Sequence, residues 1–126
     1  MNGWLIGAGI HGAMAVAFGA WASHGAGSVI AEDAVEWVRT GSSYQLWHVV
    51  ALIAVAALLA HSRNRLVGVA GFAFCLGALL FSCSLYALAL GGPAWLVYLT
   101  PVGGSLLIAG WVALLCSGIF GRRSAG

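Results

Sequence analysis

Four long apolar stretches, separated by shorter polar segments, run through the chain. They cover about residues 4–24, 44–61, 66–90 and 101–120. A helix needs about 20 mostly apolar residues to cross the hydrocarbon core of a bilayer, and each stretch is of that order. None of them shows the strict alternation of a membrane strand, and four strands are too few to close a barrel. The pattern therefore predicts an all-α integral membrane bundle of four transmembrane helices.

The polar connections predict one further element. Residues 25–43 hold all three acids of the chain, and Ser28 stands where it can cap a helix start. We expect a short interfacial helix in this first outer loop, with Trp37 at the level of the lipid headgroups. Residues 62–65 predict a tight hairpin, and residues 91–100 combine turn residues with interfacial aromatics.

Composition agrees with a chain whose solvent is mostly lipid. Of the 126 residues, 62% are hydrophobic and 6% are charged, whereas an ordinary globular domain has about 25% charged residues. The length predicts a single transmembrane domain over residues 1–126. A net charge of +2 without a basic patch argues against nucleic acid as a partner. The three cysteines fall in apolar stretches and are interpreted as small buried hydrophobic residues rather than a disulfide framework.

The arginines predict an orientation. Four membrane crossings place the N-terminus, Arg63, Arg65, Arg122 and Arg123 on one side, which leaves Arg39 among the acids on the other. By the positive-inside rule, both termini then face the cytoplasm or the mitochondrial matrix. The first apolar stretch has no Lys or Arg before it and exceeds the roughly 7–15 residues of a signal-peptide core, so we expect it to remain as a membrane helix.

Small residues recur on one face of several stretches. Lipid provides no hydrophobic force between helices, so helices associate largely through close contact at small residues. The candidates for such packing are Gly7, Gly12, Gly19, Gly77, Gly103 and Gly110.

Polar side chains gather near one end of all four predicted helices. Gln45 and Tyr44 precede His48 by about one helical turn, so the three share a face that leads into an apolar segment. Counting residues along each stretch places the polar groups in one outer layer. The layer consists of His24, Tyr44, Gln45, His48, Ser82, Tyr86 and Thr100. His11, by contrast, falls in the inner half and is interpreted as a donor to a neighbouring carbonyl.

Two interpretations of this layer remain open. Its side chains can hydrogen-bond across helices and fix the packing register, since mispaired helices would leave polar groups in hydrocarbon. Alternatively the layer binds a ligand. The histidines His24 and His48 fall short of the about four ligands that zinc requires, and their depths are poorly matched for a bis-histidine haem. No serine has an acid partner for a triad, so we expect no catalytic residue, no metal and no cofactor.

Several motifs resemble a known family. These are FGAWASH at residues 18–24, the spaced Trp37…Thr40-Gly41…Tyr44-Gln45…His48, LFSCSLYALAL at residues 80–90, TPVGG at residues 100–104, and Ala109-Gly110-Trp111. In this order they resemble the YgdD/YwdK-like small membrane proteins, and the match covers almost the whole chain. Cys83 stands where that family usually has Gly, and Ser23 where it often has Ala. The resemblance implies a four-helix protein of the bacterial inner membrane, with relatives in mitochondria, no established function and no catalytic residues to carry over.

We therefore expect a non-enzymatic membrane protein that acts as an accessory or stabilising subunit of a larger membrane complex. Its partners would be membrane lipid and other membrane protein subunits. The alternative is a small binding or transport protein that uses the outer polar layer for a quinone, a lipid or a metal. Ion-coupled transport is disfavoured because all three acids lie in the outer loop rather than in a membrane segment.

Overall fold

The computed structural model describes residues 1–120, which form four long helices and two short 3-10 turns without any strand. The helices are α1 (Gly3–His24), α2 (Glu32–His61), α3 (Arg65–Ala89) and α4 (Leu99–Phe120). The 3-10 turns, Ala26–Ser28 and Ala94–Tyr98, precede α2 and α4. All four helical segments are long and apolar enough to cross a membrane, so the predicted fold class is confirmed. Arg122 and Arg123, which contributed to the predicted orientation, lie outside the described residues.

Asparagine side chains begin two of the helices. The Asn2 side chain accepts from the backbone N–H of Trp4 at 3.1 Å, and the Asn64 side chain accepts from that of Leu66 at 2.9 Å. Each bond pairs a backbone donor that has no partner within the helix itself. Asn64 thereby begins α3 directly after the short hairpin that joins it to α2.

The prediction of a separate interfacial helix in the first outer loop is wrong, because that segment is continuous with α2. Residues 32–43 are helical, but they form the first turns of a single 30-residue helix rather than a separate element. Gly41 and Ser42 are residue types that favour turns, but here both lie within α2. Gly41 is buried, and the Ser42 hydroxyl donates to the carbonyl of Ala15 on α1. Neighbouring helices therefore hold the chain helical through a sequence that favours a break.

The helices pack in the order of the chain. α1 lies on α2, α2 on α3 and α3 on α4, with a smaller contact between α1 and α3. Among the described residues, the backbone of α4 packs closely on α3 and on the preceding 3-10 turn but not on α1 or α2. The core lies between α2 and α3, where Leu52, Val55 and Phe74 are fully buried. The bundle is therefore open between its first and last helices.

Glycines permit the closest helix contacts. A methyl group on Gly77 of α3 would lie 3.0 Å from the carbonyl oxygen of Gly103 on α4, and one on Gly110 would lie 2.6 Å from the ring of Phe74. A methyl on Gly19 of α1 would lie 2.6 Å from the Ser42 hydroxyl. Cβ contacts of 3.0 Å or less are very rare, so alanine at these positions would displace the neighbouring side chain or backbone.

Two other predicted packing glycines make looser contacts. A methyl on Gly7 would meet the Cys75 sulfur at 3.6 Å, and one on Gly12 would meet Val49 at 3.7 Å. These are ordinary contact distances. The sequence pattern missed Gly71, where a methyl would lie 2.7 Å from the Trp4 ring.

Candidate functional site

Gln45 lies at the centre of the buried polar groups. Its side chain is fully buried, and its amide joins three helices. The amide nitrogen Nε2 lies 2.9 Å from Nδ1 of His11 on α1, and the oxygen Oε1 accepts from the Tyr86 hydroxyl of α3 at 2.8 Å. In this arrangement the amide nitrogen donates, so Nδ1 of His11 is the acceptor and the proton of the neutral ring is on Nε2. That Nε2 lies 3.6 Å from the Cys75 sulfur.

The ring of Tyr86 is held between α1 and α2. Its ring stacks on Phe18 of α1 with centroids 3.9 Å apart and planes 8° from parallel. On the other helix, Gly41 leaves the space that the ring edge occupies, because a methyl there would lie 2.8 Å from Cε1 of Tyr86. One turn earlier on α3, the Ser82 hydroxyl donates to the Gly41 carbonyl at 2.8 Å. Gly41 of α2 is therefore contacted by two residues of α3, the ring of Tyr86 and the hydroxyl of Ser82.

His48 connects α2 to α4. Its Nδ1 lies 2.7 Å from the carbonyl oxygen of Tyr44, and its Nε2 accepts from the indole N–H of Trp111 at 3.1 Å. A carbonyl oxygen can only accept and an indole N–H can only donate, so the His48 ring is neutral with its proton on Nδ1. Both ring nitrogens are thus occupied, and neither has a lone pair left for a metal.

The outermost link joins α3 to α4. The Ser84 and Thr100 hydroxyls lie 2.8 Å apart, and Ser84 also donates to the carbonyl of Phe81 at 2.9 Å. We refer to the polar side chains that hydrogen-bond between helices, taken together, as the hydrogen-bonded layer. Its members are His11, Ser42, Gln45, His48, Ser82, Ser84, Tyr86, Thr100 and Trp111.

Two residues of the predicted outer layer lie apart from the hydrogen-bonded layer. His24 is exposed at the end of α1, where it lines an open cavity with Glu32 and Arg39. The Tyr44 side chain is 49% exposed and packs on Phe81 with ring centroids 4.9 Å apart, so Tyr44 contributes its carbonyl rather than its phenol. The other five all bond between helices, but only Gln45 and Tyr86 bond each other. Ser82 bonds the Gly41 carbonyl, His48 bonds Trp111, and Thr100 bonds Ser84.

The layer also extends deeper than the residue count suggested. His11 lies thirteen residues before the end of α1 at His24, about 20 Å along the helix axis. The groups therefore run from the outer third of the bundle, at Thr100, to its middle, at His11. Among residues 1–120, every buried side-chain nitrogen and oxygen has a hydrogen-bond partner. The same residues contain no group of three or more His, Cys, Asp or Glu side chains placed to hold a metal.

Sequence reasoning missed four members of the layer: His11, Ser42, Ser84 and Trp111. His11 was assigned to the inner half because only its distance from a helix end could be counted. Trp111 entered only as part of a family motif, although it stands twelve residues inside α4. An indole or imidazole in the middle of an apolar stretch is itself a signal, since such a group needs a partner in hydrocarbon.

A family model described as "Protein of unknown function (DUF423)" matches residues 18–104. The chain belongs to this family. The matched region contains Gln45, Tyr86 and Thr100, so most of the hydrogen-bonded layer falls within it.

Relatives agree with this assignment. A UPF0382 membrane protein of Haemophilus influenzae is 40% identical over 105 residues, which cover 83% of this chain and 84% of the relative. The UPF0382 inner membrane protein YgdD of Escherichia coli K12 is 34% identical over 119 residues, covering 94% and 91%. A relative from Staphylococcus haemolyticus, also a UPF0382 membrane protein, is 35% identical over 104 residues, covering 82% and 84%. The predicted resemblance is confirmed, and no solved structure matches the chain.

Proposed function

We propose that this protein is a non-enzymatic accessory subunit that stabilises a larger complex in the bacterial inner membrane. It is an integral membrane protein, and named relatives are inner membrane proteins. Every buried side-chain nitrogen and oxygen of residues 1–120 has a hydrogen-bond partner within the protein, so these groups hold the helices in register and few are left for chemistry on a substrate. The proposal thus depends on the outer surfaces of the helices.

The observation that carries the proposal is the cleft between α2 and α4. The two helices are bridged by the bond from Trp111 to His48, and an open groove of about 440 Å³ lies beside that bond. It is lined by small side chains, Ala51 and Ala54, and by the aromatic rings of Tyr44, Trp47 and Trp111. Trp47 at one edge is 72% exposed.

A transmembrane helix of a partner subunit fits this groove best. The small residues that line the groove allow a helix backbone to approach closely, as in known membrane helix pairs. The aromatic edges give large, rigid contact surfaces, which carry much of the binding energy in protein interfaces. The polar atoms of His48 are already paired, so an apolar helix can cover them without leaving a donor or acceptor unsatisfied.

Photocrosslinking at native expression tests the proposal. A photoreactive amino acid replaces Trp47 or Ala54, which line the groove, and in a control it replaces Val16 on α1, which is 61% exposed. We expect both groove positions to crosslink the same membrane subunit and Val16 to crosslink lipid only. The native assembly should migrate with that subunit. Recovery as a monomer or as a homo-oligomer would contradict the proposal.

The orientation is part of the same proposal. The hairpin between α2 and α3 carries Arg63 and Arg65, and we assign it, together with the N-terminus, to the cytoplasmic side. The turn Ala26–Ser28 and the first turn of α2, with Glu32 and Asp33, then face the periplasm. This places the groove's upper edge at Tyr44 nearer the periplasmic side than its lower edge at Ala54.

A second candidate function is binding or transport of a quinone, a lipid or a metal by the polar groups. It is supported by the depth of His11 and Cys75, whose polar atoms reach the middle of the bundle. Metal analysis of protein purified from native membranes and ligand density at His24 and His48 separate the two functions. A bound ligand that is lost in His48→Ala without loss of folding favours this second function, whereas protein without ligand and with the layer intact favours the subunit.

A further inference from the structure

An open cavity of about 460 Å³ lies where α1 ends and α2 begins. Ionisable side chains of both signs line it, namely His24, Glu32 and Arg39, together with Ser28 and the turn that contains it. Pockets for small ligands typically measure about 300–1,000 Å³, and this cavity falls within that range. It is separate from the hydrogen-bonded layer and from the groove between α2 and α4.

The cavity lies at the depth of lipid headgroups. α2 contains 30 residues and is about 45 Å long, whereas the hydrocarbon core of a bilayer is about 30 Å thick. The first turns of α2 therefore extend into the headgroup region. Arg39 comes seven residues after Glu32, so its Cα lies about 10 Å deeper along the helix.

The charged groups are arranged in a definite order with depth. Arg39, the deeper of the two, forms an ion pair with Glu36. A guanidinium has five N–H donors, so this pair leaves donors available for a phosphate. Glu32, further out, has a carboxylate that accepts N–H bonds from an ammonium group. His24 is exposed at the same cavity and offers a further ring nitrogen.

We propose that this cavity binds a zwitterionic aminophosphate group, as in a membrane lipid with a phosphoethanolamine headgroup. The phosphate lies toward Arg39, and the primary ammonium lies toward Glu32. This order matches such a lipid, in which the phosphate is attached on the glycerol side and the amine is at the outer end. A quaternary choline has no N–H to donate to Glu32, so the site distinguishes the two headgroups. The inference does not depend on the proposed role as a subunit.

Native mass spectrometry of the detergent-solubilised full chain tests the site. The protein is incubated with phosphatidylethanolamine, phosphatidylcholine or phosphatidylglycerol of identical acyl chains, and retained lipid is counted. We expect the ethanolamine lipid to be retained in preference to the choline lipid. Glu32→Gln should lower that retention about fivefold and leave the glycerol lipid unaffected, as expected for one partly solvated ion pair. Arg39→Gln should lower retention of both the ethanolamine and the glycerol lipid.

Asp33→Asn provides the matched control. Asp33 is next to Glu32, the substitution removes the same charge, and the residue is not among those that line the cavity. Equal losses in Asp33→Asn and Glu32→Gln, or equal retention of ethanolamine and choline lipids by the unmodified protein, would overturn the proposal. Competition by soluble phosphoethanolamine at millimolar concentration would support a free aminophosphate as ligand, and retention unchanged by it would support the lipid. The thermal midpoint of each variant verifies that it is folded.

Discussion

The ring of Tyr86 on α3 occupies the space that Gly41 on α2 leaves free. A methyl group at position 41 would lie 2.8 Å from Cε1 of that ring and 3.4 Å from the carbonyl oxygen of Ser82. The ring is also stacked on Phe18, so it cannot move away from α2 without losing that contact. The absence of one methyl group thus allows three helices to meet around a single phenol.

Gly41→Ala should therefore destabilise the bundle. Overpacking of a tight contact costs about 1–3 kcal/mol, which exceeds the about 0.5–1 kcal/mol that alanine gains over glycine within a helix. Gly9→Ala is the control, because a methyl on Gly9 of α1 would have no neighbour within 4 Å. Thermal unfolding in detergent should show a lower midpoint for the first variant and an unchanged or higher midpoint for the second. Equal midpoints would show that Tyr86 does not fill this space.

The bond between Tyr86 and Gln45 can be measured by a double-mutant cycle. Tyr86→Phe removes the hydroxyl but keeps the ring, and Gln45→Leu removes the amide at similar size. We expect Tyr86→Phe to cost about 0.6 kcal/mol, the average measured for hydrogen bonds between membrane helices, and no more than the measured maximum of about 1.7 kcal/mol. Gln45→Leu should cost more, because it also leaves His11 without its partner. Reversible unfolding of the four proteins gives the coupling, and additive effects would argue against the bond.

Trp111→Phe should loosen α4 from α2. The substitution keeps an aromatic ring on α4 but removes the only donor to Nε2 of His48 that the structure records within residues 1–120. We expect faster hydrogen exchange of the α4 backbone and a stability loss of about 1 kcal/mol. Trp95→Phe serves for comparison, since Trp95 lies exposed in the 3-10 turn before α4. Similar exchange in the two variants would mean that the indole bond contributes nothing to the position of α4.

Labelling of single cysteines in intact cells tests the orientation. The three native cysteines are first replaced by alanine, and a cysteine is then introduced at Ser62 or Gly27. A thiol reagent that does not cross the inner membrane should label position 27 from the periplasm and leave position 62 unlabelled until the cells are opened. The reverse pattern would place the N-terminus in the periplasm.

Much of the fold follows from the sequence because lipid imposes strict requirements on helix length and composition. The apolar stretches fix the number of crossings, and the spacing of Gly103 and Gly110 predicts a seam that the structure places against α3. The beginning of α2 was not predictable in this way. Whether Gly41 breaks a helix or lies within one depends on Tyr86 and Ser82, which are about 40 residues further along the chain.

The candidate site, like the fold, was predictable from the sequence only in part. Gln45, Ser82 and Tyr86 were predicted to meet because each stands at a similar distance from a helix end. His11 was not predicted as the partner of Gln45, since residue counts give a depth but not a direction around the helix axis. His24 was included by depth alone, and the end of α1 turns it toward the aqueous boundary instead.

The bonds between α1 and α2 have a consequence for synthesis in the membrane. His11 with Gln45, and Ser42 with the Ala15 carbonyl, connect these two helices without any residue beyond Ser62. The first hairpin can therefore satisfy most of its polar groups as soon as the ribosome has delivered it, before α3 leaves the insertion machinery. Tyr86 then adds the second partner of Gln45, and α4 joins last, through its close packing on α3 and the indole bond to His48. We therefore expect biogenesis of this protein to proceed from the N-terminal hairpin outward, in the order in which its helices touch.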